Sequence, residues 1–121
     1  MFDHVSIPVA DYEKSKRFYQ TALAALACNL IMEHPISGAG FGAAGKPSFW
    51  IKQKEPASPV HVAFSADCRA SVDAFHRAAL SAGAEDNGPP GLRPEYHPTY
   101  YGAFVLDPDG NNIEAVCHLP E

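Results

Sequence analysis

Residues 3–7 read Asp-His-Val-Ser-Ile and residues 60–64 read Val-His-Val-Ala-Phe, which are two versions of one short strand pattern. His61 follows His4 by 57 residues (61 − 4 = 57). Three apolar pairs further along repeat the same interval: Phe18 and Phe75, Ala22 and Ala79, and Leu23 and Leu80. An interval shared by a strand and the helix after it is improbable by chance. The sequence therefore indicates an internal duplication.

The composition indicates one small globular domain. The chain has 121 residues, 46% hydrophobic and 19% charged, and a net charge of −5. With no basic cluster, nucleic acid is not an expected partner. No apolar run reaches the roughly 20 residues that span a membrane, and the N-terminus lacks a signal-peptide pattern. Three widely spaced cysteines suit a reducing compartment, so we expect a cytoplasmic protein.

Each half is predicted to fold as β-α-β-β-β, which makes the chain an α+β protein. Helices are predicted at 12–26, capped by Asp11, and at 68–82, capped by Asp67 or Ser65 and stopped by Gly83. After the opening strand of each half, the remaining strands are predicted at about 28–34, 39–43, 48–53, 84–87, 101–106 and 112–118.

The predicted organisation is a single domain made of two modules. Module one covers about 1–53, a polar, proline-containing linker covers 54–59, and module two covers about 60–121. The segment 87–98 carries four prolines and two glycines and extends the second half. An unstructured stretch of this length predicts a lid or a binding loop.

Strand alternation puts three candidate metal ligands on the sheet faces that point away from the predicted helices. If helices cover Val5 and Val62, the side chains of His4 and His61 point to the opposite faces. In the last strand, Glu114 is on the phase opposite to its apolar neighbours. If a pseudo-twofold axis relates the halves, the two imidazoles and the carboxylate meet in a shared cup, and such a set suits a divalent metal.

Each of these residues also has a simpler interpretation. A lone strand histidine is more often solvated or hydrogen-bonded than metal-bound. Glu114 could instead pair with Lys52 or Arg93. The predicted metal site depends on the two histidines occupying matching repeat positions.

With these residues in place, the chain resembles the vicinal oxygen chelate superfamily, which includes glyoxalase I, bleomycin-binding proteins and extradiol dioxygenases. The resemblance covers essentially the full length and rests on DHVSIPVADYEKSKRFYQTAL at 3–23, HVAF at 61–64 and DPDGNNIEAV at 107–116. It implies paired βαβββ modules that form an open, cup-shaped mixed sheet. It also implies metal ligation by His4, His61 and Glu114, and a homodimer.

The resemblance implies a metalloenzyme that binds Zn, Ni, Mn or Fe and polarises an oxygen-bearing small-molecule substrate. One departure bears on the reaction: Trp50 stands where glyoxalase I-like members carry a further carboxylate ligand. The reaction therefore stays open between isomerase or lyase chemistry, thiol transfer and oxygenation. The alternative is a metal-free binding or sequestering protein of the bleomycin-resistance type.

Two residues of module one are candidate substrate contacts. Trp50 can form an aromatic wall of the pocket, or it can be ordinary core. Lys52 can bind an anionic group, or it can be a solvent-facing strand end.

The segment 92–102 concentrates functional side chains. Arg93 and Tyr96 are candidate substrate contacts, and His97 and Tyr101 are candidate proton donors or acceptors beside Glu114. The same aromatic residues could instead serve packing or dimer contacts.

Two further histidines are assigned minor roles. His76 is expected to face solvent from the second helix, and His118 is a reserve ligand that shares the phase of Glu114.

Overall fold

The computed structural model describes residues 2–36, 38–56 and 58–120, and within these ranges both halves fold as β-α-β-β-β. The first half comprises β1 (Val5–Val9), α1 (Tyr12–Ala24), β2 (Asn29–His34), β3 (Gly38–Ala43) and β4 (Lys46–Gln53). The second half comprises β5 (His61–Ser65), α2 (Arg69–Ser81), β6 (Glu85–Leu92), β7 (Tyr101–Leu106) and β8 (Asn112–Cys117). The predicted α+β class and repeat are confirmed.

The two halves build separate four-stranded mixed sheets with the same strand order. One is β1-β4-β3-β2 and the other is β5-β8-β7-β6, and in each the first pair is parallel. Val5 pairs with Phe49 in the first sheet, and Val62 pairs with Ile113 in the second. Positions 5 and 62 differ by 57, whereas positions 49 and 113 differ by 64 (113 − 49 = 64), so the second half carries seven extra residues before its last strand (64 − 57 = 7).

A single hydrophobic core joins the halves. Each helix covers one face of its own sheet, and α1 also contacts α2. Buried side chains of both halves form one cluster that includes Tyr19, Phe41, Phe75 and Ile113. Since the helix-covered faces pack together, the uncovered faces lie on the outside of the molecule. No helix in the described part of the chain is long and apolar enough to cross a membrane.

The helix caps match the predictions in part. Asp11 caps α1 and accepts a hydrogen bond from Lys14 N at 3.1 Å. The predicted caps of α2 are wrong, because its N-cap is Cys68. Ala66 N still donates to β8 at 2.8 Å, so the chain leaves the sheet too late for Ser65 or Asp67 to cap the helix. Gly83 follows the helix with φ +103, as a glycine stop requires.

The predicted loop at 87–98 is wrong over its first half. β6 continues to Leu92 through Pro89 and Pro90, with register shifts against β7. Prolines are tolerated there because β6 lies at the edge of its sheet. The predicted linker 54–59 includes Ala57, which lies outside the described residues.

His76 does not face solvent as predicted. Its side chain is mostly buried, and Nε2 lies 2.9 Å from Asp86 Oδ1 on β6. The edge strand therefore covers the part of α2 that the helical pattern alone left exposed.

Candidate functional site

Glu114 is a carboxylate buried in the middle of the second sheet. Its side chain is 1% exposed, and it lies on β8 between Ala63 of β5 and Phe104 of β7. Its neighbours in sequence, Ile113 and Ala115, belong to the core. Glu114 therefore faces away from the helix, as the alternation predicts.

Two donors hold the carboxylate of Glu114. His61 Nε2 lies 2.8 Å from Oε1, and the Tyr100 hydroxyl donates to Oε2. The imidazole is 53% exposed, so solvent reaches the pair from the His61 side. Neither predicted alternative partner is used: Arg93 donates to Pro89 O at 2.7 Å, and Lys52 lies on the other sheet.

Tyr100 is the site residue that sequence analysis missed. A Cβ at Gly102 would lie 3.1 Å from Tyr100 Cε1 and 3.4 Å from Glu114 Oε2, so the glycine makes room for the ring. Burial, followed by the hydrogen bond to Glu114, raises the pKa of the Tyr100 hydroxyl above its ordinary value. Residues 100, 102 and 104 share one phase, and that spacing could have identified Tyr100.

Tyr101 lies on the opposite phase. Its hydroxyl donates to Asp73 Oδ1 on α2 at 2.7 Å, so it faces the helix and not Glu114. The prediction that Tyr101 exchanges a proton at the site is corrected by this contact, since adjacent strand residues point to opposite faces.

The other residues of this segment form a rim around the pair. Arg93 stacks over Phe104 at 5.3 Å, and the Phe104 ring lies 6.3 Å from His61. Tyr96 packs edge-on against Tyr100, at 5.1 Å between ring centroids. Arg93 and Tyr96 therefore lie close to the His61–Glu114 pair, and their contact with a substrate stays a prediction.

His97 lies one step further from the pair. Its Nδ1 is 3.1 Å from Thr99 Oγ1, and its ring contacts His118 at 5.9 Å. The hydroxyl of Thr99 is 2.6 Å from the carbonyl of His118, which anchors the segment before Tyr100. His118 also packs its ring against Tyr100.

His4 is not brought to His61 and Glu114 within one chain. It is exposed on the first sheet, with Nδ1 2.8 Å from Asp3 Oδ1. No group of three His, Cys, Asp or Glu side chains among the described residues could hold a metal ion. The three predicted ligands are thus not brought together within the described part of a single copy of the chain.

The uncovered face of the first sheet is aromatic and basic. Trp50 pairs with Ser6 as Glu114 pairs with Ala63, so Trp50 is the repeat equivalent of Glu114. A concavity of about 450 Å³ lies there, lined by His4, Trp50 and Lys52 among others. His4 and Trp50 therefore share one surface, and His61 and Glu114 share another.

The chemistry of the second surface fits half of a divalent metal site. An imidazole nitrogen and a carboxylate oxygen that bind one ion at about 2.1 Å lie roughly 3 Å from each other. The His61 and Glu114 donor atoms are 2.8 Å apart. With Oε2 occupied by Tyr100, the pair offers one nitrogen and one oxygen, and further donors must come from elsewhere.

Comparison with solved structures places the chain in a family. No protein-family model matches the chain, and no curated protein matches it either. Among solved structures, a glyoxalase/bleomycin resistance protein from Albidiferax ferrireducens is 30% identical, with a TM-score of 0.84, over 98% of this chain and 99% of that one. The chain belongs to the glyoxalase/bleomycin resistance/dioxygenase family, within the vicinal oxygen chelate superfamily.

Two more distant structures share the fold. A glyoxalase/bleomycin resistance protein/dioxygenase family enzyme from Burkholderia phytofirmans is 23% identical, with a TM-score of 0.74, over 97% of this chain and 98% of that one. An antibiotic-binding protein from a Streptomyces species is 24% identical, with a TM-score of 0.69, over 98% and 96%.

Proposed function

We propose that this protein is a metal-dependent enzyme that acts on an oxygen-bearing small molecule. The observation that carries the proposal is the His61–Glu114 pair. A carboxylate that is 1% exposed meets a half-exposed imidazole at 2.8 Å, on a sheet face that no helix covers. Burying a carboxylate is costly unless charge or hydrogen bonds compensate it. A divalent ion at this pair would add its charge to the compensation that His61 and Tyr100 already supply.

The third ligand in this proposal is His4 of a second copy of the chain. His4 occupies the repeat position of His61 but lies on the other uncovered face. A symmetric dimer that places the first sheet of one copy against the second sheet of the other would bring His4 to the pair, twice per dimer. A site of three protein ligands leaves positions open for a substrate.

The residues have distinct roles in this arrangement. A bound divalent ion would polarise a substrate oxygen and stabilise negative charge that develops on it. His61 and Glu114 would hold the ion, and Tyr100 donates to the second carboxylate oxygen so that Glu114 keeps one orientation. Trp50 forms the opposite wall, and Arg93 and Tyr96 form the rim.

Trp50 also limits the choice of reaction. Because Trp50 occupies the equivalent of Glu114, the first sheet has an indole and not a second glutamate at that strand position. Proton transfer between two opposed glutamates is therefore not part of the proposal. Oxygenation, thiol transfer and isomerisation with a different base remain within it.

Metal analysis of the purified protein tests the proposal. We expect about one Zn, Ni, Mn or Fe ion per chain by mass spectrometry after each metal is supplied and excess is removed. His61→Ala and Glu114→Gln should each abolish stoichiometric binding, and His4→Ala should weaken it by roughly tenfold or more. His97→Ala is the matched control, since His97 is exposed and bonded to Thr99. Metal-free wild-type protein would overturn the proposal.

A second candidate function is metal-free binding of a small molecule. One observation favours it: both oxygens of Glu114 already accept hydrogen bonds within the chain, from His61 and Tyr100. The fold is also shared by the antibiotic-binding Streptomyces protein. In this case ligand binding would survive chelator treatment and both His4→Ala and His61→Ala, whereas metal content would be negligible in every variant.

A further inference from the structure

Trp50 lies against backbone that carries no side chain. Gly40 pairs with Trp50 across β3 and β4, and a Cβ at Gly40 would lie 2.9 Å from both Cε2 and Cη2 of the indole. The same Cβ would lie 2.9 Å from Pro47 Cβ. Glycine at position 40 thus lets the indole pack against the backbone of β3. Trp50 is partly exposed.

Of the two lysines that line the concavity beside the indole, one forms an ion pair within the described part of the chain and the other does not. In the concavity of about 450 Å³, Lys46 Nζ lies 3.0 Å from Asp3 Oδ2, and Asp3 Oδ1 also bonds His4. Lys52 lines the same concavity two residues after Trp50. Among the described residues Lys52 forms no ion pair.

The neighbouring surface leaves the excess of one positive charge unchanged, because it adds both Lys54 and Glu55. An adjoining concavity of about 330 Å³ is lined by Lys52, Lys54 and Glu55. Taken together, the two concavities carry three lysines against two carboxylates. A ligand with one negative charge would balance the face.

We propose that this face binds a planar anion, an aromatic or conjugated carboxylate or phenolate whose ring stacks on Trp50 and whose charge meets Lys52. Stacking on a large aromatic face and an ammonium at the edge together select a flat, singly charged molecule. The inference rests on the proposed function, because this face is the wall opposite His61 and Glu114 in the dimer, and it names the substrate class.

The equivalent place on the second sheet could not bind such a ligand. There Glu114 stands at the position of Trp50, and Phe104 stands at the position of Gly40. A carboxylate repels an anion, and the Phe104 side chain stands where Gly40 makes room for the indole on the first sheet. The two copies of the repeat have therefore diverged, one toward an anionic ligand and one toward a cation.

The test uses the indole N–H of Trp50, which gives a single resonance because the chain has one tryptophan. Metal-stripped full-length protein is titrated by NMR with benzoate, with the uncharged benzamide, and with the non-planar cyclohexanecarboxylate. Benzoate should shift the resonance saturably, and each of the other two should bind at least about fivefold more weakly, one lacking the charge and the other the flat ring.

Two substitutions complete the test. Lys52→Gln should weaken benzoate about fivefold and leave benzamide unchanged, whereas Lys46→Gln, at a lysine already paired with Asp3, should have a smaller effect. Gly40→Ala should weaken both aromatic probes by displacing the indole. Equal binding of benzoate and benzamide, or an unchanged Lys52→Gln titration in protein with a wild-type circular dichroism spectrum, would overturn the proposal.

The outcome of the benzoate titration can be distinguished from the outcome of the metal analysis. If wild-type protein binds no metal and benzoate still titrates Trp50 with the expected dependence on Lys52, the anion site stands and the enzyme proposal falls. If metal binds and benzoate does not, the reverse holds.

Discussion

At the scale of single residues, Tyr100 fixes the orientation of the Glu114 carboxylate. Its hydroxyl is the donor to Oε2, an oxygen that solvent hardly reaches. A buried acceptor that loses its donor keeps the full cost of its desolvation. The ring of Tyr100 packs over Gly102, where a side chain would crowd it, so the glycine helps to position the hydroxyl beside Glu114.

Tyr100→Phe is expected to lower the free energy of unfolding by about 1–3 kcal/mol, because Glu114 Oε2 loses its donor while the ring still fits. Urea unfolding followed by circular dichroism measures the change. Tyr96→Phe is the matched control, since the Tyr96 side chain is exposed, and it should change stability by less than about 0.5 kcal/mol. Equal effects of the two substitutions would contradict the assigned role of Tyr100.

Tyr19→Phe is expected to flatten the alkaline limb of the stability profile. Tyr19 is fully buried and donates to Asp107; burial first, and then the charge of Asp107, raise the pKa of its hydroxyl well above the ordinary value. The native state therefore keeps a proton that the unfolded chain releases above about pH 10. The contribution is constant below that pH and is lost above it.

Urea titrations between pH 8 and pH 11 check this prediction. Wild-type stability should fall more steeply above pH 10 than that of Tyr19→Phe, by up to about 1.4 kcal/mol per pH unit for one group. Tyr96→Phe should retain the wild-type slope. Parallel profiles for wild type and Tyr19→Phe would show that the residue does not account for the dependence.

Residue positions were predictable where alternation alone decides them. Glu114 and His61 face away from the helix as their phase requires. The prediction named Tyr101 as a proton donor or acceptor and missed Tyr100, because the strand begins between them. A shift of one residue along a strand moves a side chain to the opposite face of the sheet. Sequence gives the phase only after the start of the strand is known.

At the scale of elements, the His76–Asp86 side-chain pair joins the edge strand β6 to α2. His76 Nε2 contacts Asp86 Oδ1, and Gly88 N donates to the same oxygen at 3.0 Å. The bond from the Gly88 N–H first, and that from His76 next, hold the pKa of Asp86 below its usual value. Asp86 thus stabilises this edge above about pH 4 and releases it as the pH falls further.

Asp86→Asn is expected to speed hydrogen exchange of β6 amides at pH 6 by roughly threefold to tenfold, with little change in β8, because only the edge strand loses its attachment. Hydrogen exchange followed by NMR measures both strands in one sample. Glu85→Gln, one residue earlier on the same strand, is the control. An increase shared equally by β8 would mean that the pair stabilises the whole sheet instead.

The strand β6 also marks a limit of element prediction. Its prolines and glycines are typical of loops, and only its place at a sheet edge allows Pro89 and Pro90 within a strand. Edge positions are set by topology, which local composition does not encode. The helices, by contrast, follow from apolar spacing and differ from prediction by only one or two residues at their ends.

At the scale of the whole molecule, the repeat predicts equivalence but not proximity. His4 and His61 occupy matching positions, yet each lies on the uncovered face of its own sheet. The relative orientation of the two sheets depends on how α1 packs against α2. The spacing of the repeat in sequence does not predict that packing. The proposed site shared between two copies would reconcile the matching positions with the separated faces.

Mixed dimers test that shared site. His4→Ala and Glu114→Gln chains, each carrying a different affinity tag, are refolded together and purified through both tags. Each mixed dimer then has one site with both defects and one intact site, so about half of the wild-type metal content should return. Each variant alone should bind little metal. Failure of the mixed dimers to exceed either variant would exclude a site built across two copies.

The turn that positions Glu114 has a further consequence. Asp107 accepts from Tyr19 of α1, and Asp109 Oδ1 accepts from Ala10 N at 3.1 Å, so the second module's turn is bonded to the first module's helix. A fragment limited to residues 60–120 would leave a buried carboxylate without its tyrosine. The second half alone is therefore expected to be less stable than the whole chain, because the two halves of the repeat share these hydrogen bonds and one hydrophobic core.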